Sequence, residues 1–138
     1  MIILDTNVIS ELWRIEPNPN VLAWIDAQNV ETLFLSAITV AELRYGLATM
    51  PEGKRRLIYE KRLEQEVLQI FADRVLAFDI NTSKIYAALM AQARSEGKII
   101  SMADGNIAAI AVQHGFAISI RDTMPFAIAG IKVINPWQ

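Results

Sequence analysis

The sequence predicts a single α/β domain whose parallel sheet is covered by helices on both faces. Three observations carry that expectation. Short apolar runs alternate with longer helical patterns, the signature of strand–helix–strand units. The length, 138 residues, is close to the commonest single-domain size. Hydrophobic residues make up 53% of the chain, with few glycines and prolines, which supports one core and argues against disorder. Residues 1–138 are therefore expected to form one domain.

The elements follow in order. Ile2 to Leu4 reads as a buried strand, and Asp5-Thr6-Asn7 offers helix-capping side chains before Val8, Ile9 and Leu12. Glu16 to Asn20, with two prolines, reads as a loop, and Val21 to Asp26 as a short helix. Thr32 to Leu35 is a second strand, and Ile38 to Met50 is helical until Pro51-Glu52-Gly53 breaks the chain. Lys54 to Ala72 reads as one long amphipathic helix with Leu57, Leu63, Val67, Leu68 and Phe71 on its apolar face. Val75 to Phe78 is a strand, and Thr82 to Glu96 a helix ended by Gly97. Ala103 to His114 is a helix ended by Gly115, Phe116 to Ile120 a strand, and Ile131 to Ile134 a last short strand. Open sheets of this kind bind ligands beyond the carboxyl ends of their strands, so chemistry is sought there.

Composition narrows the chemistry. With no cysteine, neither a disulfide framework nor a thiolate metal site is available, which fits a cytoplasmic protein. The first residues lack the basic, then apolar pattern of a signal peptide, and no apolar run reaches the roughly 18 residues of a membrane helix. No membrane association is expected. The net charge of −2 does not advertise a nucleic-acid binder, although cations held by a carboxylate cluster would offset it.

Four acids stand out. Asp5 directly follows the first strand, where Asp is also a favoured N-cap. Glu42 has Ile38, Tyr45 and Gly46 as helical neighbours, and a carboxylate on such an apolar face is unusual unless it reaches solvent at an edge. Asp104 opens an almost wholly apolar helix, Ile107 to Ala111, where capping and the helix dipole also favour an acid. Asp122 follows the strand Phe116 to Ile120 and alone would pass for a turn residue. Four carboxylates in one dry cleft repel each other unless a cation offsets them. An oxygen-only donor set, with His114 elsewhere on its helix, suits Mg²⁺ or Mn²⁺ better than Zn²⁺. Such an ion can polarise a phosphodiester and activate water.

These residues resemble the PIN-domain family, most closely its VapC-type toxin ribonucleases. The matching pieces are Ile3 to Leu12, Leu35 to Leu43, Ala103 to Ala111, Gly115-Phe116-Ala117 and Val133 to Trp137, in order and across essentially the whole chain. The resemblance implies about five mostly parallel strands between helices, and an Mg²⁺- or Mn²⁺-dependent endoribonuclease leaving a 5′-phosphate and a 3′-hydroxyl. In that pattern Asp5, Glu42, Asp104 and Asp122 hold the metal and serve catalysis, while Thr6 and Asn7 support the first acid. A homodimer is implied, with a small antitoxin that feeds a segment into the active-site groove and reaches DNA on the toxin's behalf. The chain departs from the pattern at Ile120, where Thr or Ser is usual, and at Pro125, where an acid is frequent. These changes remove a hydroxyl and a carboxylate expected near the metal.

Arg44 and Arg121 are the expected phosphate contacts. The cluster Lys54-Arg55-Arg56 with Lys61-Arg62 reads first as a solvated face interleaved with acids, including a Glu52–Arg56 pair of favourable spacing. Trp13, Trp24 and Trp137 are expected to pack in the core or an interface rather than stack on bases, and His114 to sit at a helix C-terminus. Two rivals remain. A haloacid-dehalogenase-like phosphatase needs a second Asp two residues after the first, and Asn7 stands there. A weakly active or inactive PIN module acting through an antitoxin in a DNA-bound repressor complex would keep the fold without the turnover.

Overall fold

The computed structural model describes the backbone of residues 1–138 and every side chain except those of Ile128 and Ala129. Five strands form one sheet: β1 (Ile2–Leu4), β2 (Leu33–Ser36), β3 (Val75–Leu76), β4 (Ala117–Ser119) and β5 (Val133–Ile134), in the order β3-β2-β1-β4-β5. Every pairing is parallel, with Ile3 beside Phe34 on one side and Ile118 on the other. The helices are α1 (Thr6–Leu12), α2 (Pro19–Asp26), α3 (Ala37–Ala48), α4 (Lys54–Lys61), α5 (Leu68–Ile70), α6 (Ile80–Ser95) and α7 (Met102–His114).

Side-chain alternation along the strands builds a core on each face. Ile3, Ile118 and Ile120 join Ile107, Ile110 and Phe126 under α6 and α7. Leu4, Leu33 and Leu35 join Val8, Val21, Leu43, Leu63 and Phe71 on the other face. A sheet buried on both sides explains why its strands read as unbroken apolar runs.

Several boundaries differ from the sequence expectation, each for a local reason. Helix α2 starts at Pro19 because the Asn18 side chain accepts from the N–H groups of Asn20 and Val21, with proline in the first helical position. Thr32 belongs to a 3-10 turn capped by Asn29, so β2 begins at Leu33. Strand β3 stops at Leu76, ahead of a capping box between Asp79 and Thr82 that opens α6 at Ile80. Phe116 is not in β4, since its N–H closes the end of α7 on Ala111 O (3.0 Å) around left-handed Gly115. The expected helix Lys54 to Ala72 is interrupted by a π-helical stretch, Arg62–Val67, between α4 and α5. Among the described residues no helix is long and apolar enough to cross a membrane.

Topology places the site. The chain moves outward from β1 through β2 to β3, then returns to the other side of β1 for β4 and β5. The order reverses between β1 and β4, and the crevice beyond the carboxyl ends at such a reversal is the usual ligand position. Asp5 follows β1 there, and Asp122 lies just past β4.

Candidate metal centre

Asp5 is the most buried of the four acids, 7% exposed. It occupies the N-cap position of α1, yet its side chain makes no capping hydrogen bond, contrary to the sequence expectation. Its backbone N–H donates to Ser119 O at 3.0 Å, which fixes it between β1 and β4. Burial pushes its carboxyl from 3.8 up to about 6; the nearby N–H groups of Asn7 and Thr6 oppose the rise, and the charges of Glu42 and Asp104 add to it.

Glu42, on α3, is exposed and so not on an inward apolar face; its carboxylate reaches the site from the edge. Thr6 Oγ1 donates to Glu42 Oε1 at 2.8 Å. The threonine hydroxyl thus steadies the second acid, not the first. Helix α3 is started by Ser36, whose buried hydroxyl accepts from Thr39 N–H at 3.0 Å.

Asp104 is not the cap of α7. Ser101 is, accepting from Asp104 N–H at 3.1 Å, which leaves the Asp104 carboxylate in the first turn with no capping duty. Its pKa is raised, first by burial and further by the charge of Asp122, while its contact with Ser101 opposes the rise. Asp122 is exposed and accepts from Met124 N–H at 3.3 Å, so it does serve as a turn residue. The four acids therefore form a chain of mutual repulsion, Glu42 with Asp5, Asp5 with Asp104, Asp104 with Asp122. Among the described residues none of the four has an ion-pair partner, and no three acids already converge tightly enough to enclose an ion.

Two buried polar atoms beside this cluster in sequence and strand register have no hydrogen-bond partner, Asn7 Oδ1 and Ser119 Oγ. Buried polar atoms are nearly always paired, so such orphans mark a place completed by something else. Ser119 was missed in the sequence; a lone serine among Phe116, Ile118 and Ile120, beside the strand that carries Asp5, is the signal that could have found it. The oxygen-only donors, their mutual repulsion and an unpaired amide oxygen all fit a hard divalent cation. Ile120, in contrast, is built into the apolar cluster with Ile118 and Phe126 at 3% exposure. Its side chain fills core, so the hydroxyl expected there would meet apolar neighbours. Pro125 is half-buried in a 3-10 turn, Met124–Ala129.

The expected phosphate contacts fare unequally. Arg44 is committed to Glu64 through two hydrogen bonds of 2.8 and 3.0 Å. Arg121 is exposed, its guanidinium 5.4 Å from the centre of the Trp137 ring. Arg56 pairs with Glu60 and Met50 O, not with Glu52. His114 is exposed at the end of α7, against Phe116. Trp137 donates from its indole N–H to Glu11, a buried carboxylate that also accepts from Asn18 N–H and Arg14. Burial raises the Glu11 pKa, but these donors outweigh it and hold the group below the usual range. Trp13 is half-buried against Tyr59 and, with Thr6 and Glu42, lines a groove of about 760 Å³.

Similarity to known proteins agrees with this geometry. The model of the family described as PIN domain matches residues 2–131. The chain is 65% identical over 138 residues to VapC ribonuclease Y4jK of Sinorhizobium fredii, spanning 100% of this chain and 99% of that protein. It is 50% identical to toxin FitB of Neisseria gonorrhoeae, again over 100% of this chain and 99% of the relative. The crystal structure of FitAcB from Neisseria gonorrhoeae superposes with a TM-score of 0.96 at 49% identity, covering 100% of this chain and 99% of that one. A structure of FitAB bound to an IR36 DNA fragment gives a TM-score of 0.97 at 48% identity, covering 100% and 96%. The family match across nearly the whole length, with relatives at half identity or more, shows that this chain belongs to the PIN-domain family, among its VapC-type toxins.

Proposed function

We propose that the protein is a metal-dependent endoribonuclease, the toxin of a toxin–antitoxin pair, with Asp5, Glu42, Asp104 and Asp122 holding Mg²⁺ or Mn²⁺. The observation that carries this reading is the buried Asp5 carboxyl, raised to about 6 at the sheet's switch point and crowded by two further negative charges. A carboxylate in that position gains most from a cation. When bound, such an ion supplies the positive charge that polarises a phosphodiester and activates water.

The chain's own residues divide the remaining work. Asp5 fixes the centre of the site through its backbone tie to β4. Thr6 orients Glu42 by its hydroxyl. Asn7 Oδ1 is a free acceptor and Ser119 Oγ an unpaired hydroxyl beside Asp5 in sequence and strand register. The cores beneath both sheet faces exclude water from below, which strengthens every charge interaction above them. Arg121 is left to meet substrate phosphate from the rim; Arg44 first has to leave Glu64.

The DNA-bound FitAB structure supports contact with DNA within a complex; we infer that this chain pairs with an antitoxin that reaches the DNA, and that it acts as a homodimer in the cytoplasm. The test is cleavage of pooled cellular RNA by the purified chain with Mn²⁺. Activity that requires the ion and disappears in Asp5→Asn and Asp104→Asn is expected. Metal-independent cleavage, or turnover retained by both variants, refutes the assignment. Co-expression with the neighbouring small protein tests the partner, which should co-purify and suppress cleavage.

A further inference from the structure

Arg121 stands just past the carboxyl end of β4 with Asp122 beside it in sequence, exposed and, among the described residues, without a carboxylate partner. A long arginine side chain in water samples many rotamers unless something holds it. Here a ring does: the guanidinium carbon lies over the half-buried Trp137 ring, 5.4 Å from its centre, within the range of a cation–π contact. The ring is itself fixed. Its indole N–H donates to Glu11 Oε1 at 3.2 Å, the Trp137 backbone N–H donates to Asn135 Oδ1 at 2.9 Å, and the Trp137 carbonyl accepts from the Asn20 side-chain amide at 2.9 Å. Asn135 donates in turn from its own amide to the Arg121 carbonyl at 3.1 Å, so one side chain ties the backbones of ring and cation together. Glu11 belongs to α1, the helix that begins beside Asp5 and carries Thr6. Through Glu11 and Trp137 the Arg121 charge is therefore held in a set relation to the helix that follows the first acid.

We propose that Trp137 is a positioning residue for the substrate strand: its ring, anchored by Glu11 and Asn135, holds the Arg121 guanidinium at the rim of the carboxylate cluster to receive an RNA phosphate. The proposal rests on the ribonuclease reading, which places a phosphodiester at those carboxylates. RNA brings a negative charge with every phosphate to a rim that already carries the exposed acids Asp122 and Glu42, so a cation fixed beside Asp122 offsets the repulsion between acids and strand. A guanidinium lying over a ring keeps its edge N–H groups free for paired hydrogen bonds to phosphate oxygens. Holding the side chain in place beforehand removes from binding the entropy cost of ordering it. Arg44 is no substitute, being committed to Glu64. Trp137 also packs against the apolar cluster under α1, so its loss costs stability as well. What marks positioning is that its effect on RNA passes through Arg121.

The experiment measures binding of a short single-stranded oligoribonucleotide to the Asp5→Asn protein by fluorescence anisotropy across a salt series, as a double-substitution cycle. Arg121→Gln, at an exposed residue, should weaken binding about ten-fold, as loss of one charge-assisted contact does, and make log K against log salt shallower by about 0.7. Trp137→Leu should weaken binding several-fold, and Trp137→Phe, which keeps a ring face, should recover part of that loss. Trp137→Leu added to Arg121→Gln should cost almost nothing further. A purely structural tryptophan gives additive losses instead, and additivity overturns the proposal. Because Trp137→Leu can fail to fold, the Arg121 Nε–H resonance, assigned by its loss in Arg121→Gln, is also followed by NMR with Trp137 intact. It should be shifted by the ring and rigid before RNA is added; a mobile, unshifted side chain overturns the proposal. If Asp5→Asn binds RNA and Arg121→Gln changes neither affinity nor salt slope, the proposal is overturned while the nuclease reading stands. The same holds if Arg121→Gln loosens only a co-purified protein. If wild-type protein cleaves nothing with Mn²⁺ and Asp5→Asn binds no RNA, the ribonuclease reading fails and takes this one with it.

Discussion

Replacing Asp5 by Asn should stabilise the metal-free protein while abolishing its activity. The folded carboxyl titrates at about 6 against 3.8 in the unfolded chain, so the folded state holds the proton more tightly. Stability from this group is complete below the unfolded value and is lost as pH rises through the folded one. The gap of roughly 2 units corresponds to about 3 kcal/mol, which the wild type lacks above about pH 6 and Asn never surrenders. For a domain of this size that is roughly 10 °C in melting temperature near neutral pH. The assay is a pair of thermal melts in chelator, from about pH 4 to pH 8. The wild type should lose stability across the window between 3.8 and about 6, and Asp5→Asn should show a shallower slope and the higher melting point at neutral pH. Adding Mn²⁺ should then raise the wild-type melting temperature by mass action and leave the variant nearly unmoved. If Asp5→Asn melts no higher than wild type at neutral pH and keeps the same slope, the Asp5 carboxylate is not destabilised by burial and crowding, and the reasoning from it to a cation fails.

Thr6→Val removes the 2.8 Å hydrogen bond to Glu42 with little change in volume; stability should move by about 1 kcal/mol or less, while the Mn²⁺ concentration for half-maximal cleavage rises several-fold in a metal titration. Ile120→Thr puts a hydroxyl into the apolar cluster beside Ile118 and Phe126, so chemical denaturation should show a loss of about 1–3 kcal/mol with no gain in metal affinity; a lower metal requirement would show that the hydroxyl reaches the site after all. Glu11→Ala leaves Trp137, Asn18 and Arg14 without their shared acceptor and should lower the melting temperature without changing the metal requirement. Because hydrogen bonding holds the Glu11 pKa low, its contribution is present above its ordinary value of 4.5 and fades as pH falls below it, the opposite slope from Asp5.

The parts of this architecture legible in the sequence are those with short-range causes. Strand and helix periods, the glycine at the end of α7 and the acids after β1 and β4 depend on neighbours a few residues away. The Asn18-Pro19 helix start was equally local and readable, but two prolines suggested a loop instead. What escaped is set by contacts across the chain. The ties of Arg44 to Glu64 and of Glu11 to Trp137 join distant segments, so neither the pairing of Arg44 nor the purpose of a buried glutamate could be seen. Glu42 looked buried because its sequence neighbours are apolar, yet α3 turns it to the edge where Thr6 reaches it. Ile120 looked like a missing ligand because family pattern says nothing of which sheet face a side chain takes; alternation from Ile118 sends it into the core and leaves Ser119 as the unpaired hydroxyl.

The placement of β1 in the middle of the sheet has a consequence for when the protein can become harmful. Its first neighbour, β2, is made early, but its second pairs Ile3 with Ile118, a separation of 118 − 3 = 115 residues. A nascent chain that has emerged as far as α6 still exposes one whole edge of β1, and pairings this distant in sequence form slowly. The acids divide along the same line: Asp5 and Glu42 are translated in the first part of the chain, Asp104 and Asp122 in the last. The cluster therefore closes only after β4 and Asp122 have been made and β4 has paired with β1. A truncated or stalled product carries half of the charges and an unsatisfied strand edge, which favours aggregation or proteolysis over catalysis. Under the proposed function, strand order thus confines catalysis to chains in which β4 has docked beside β1.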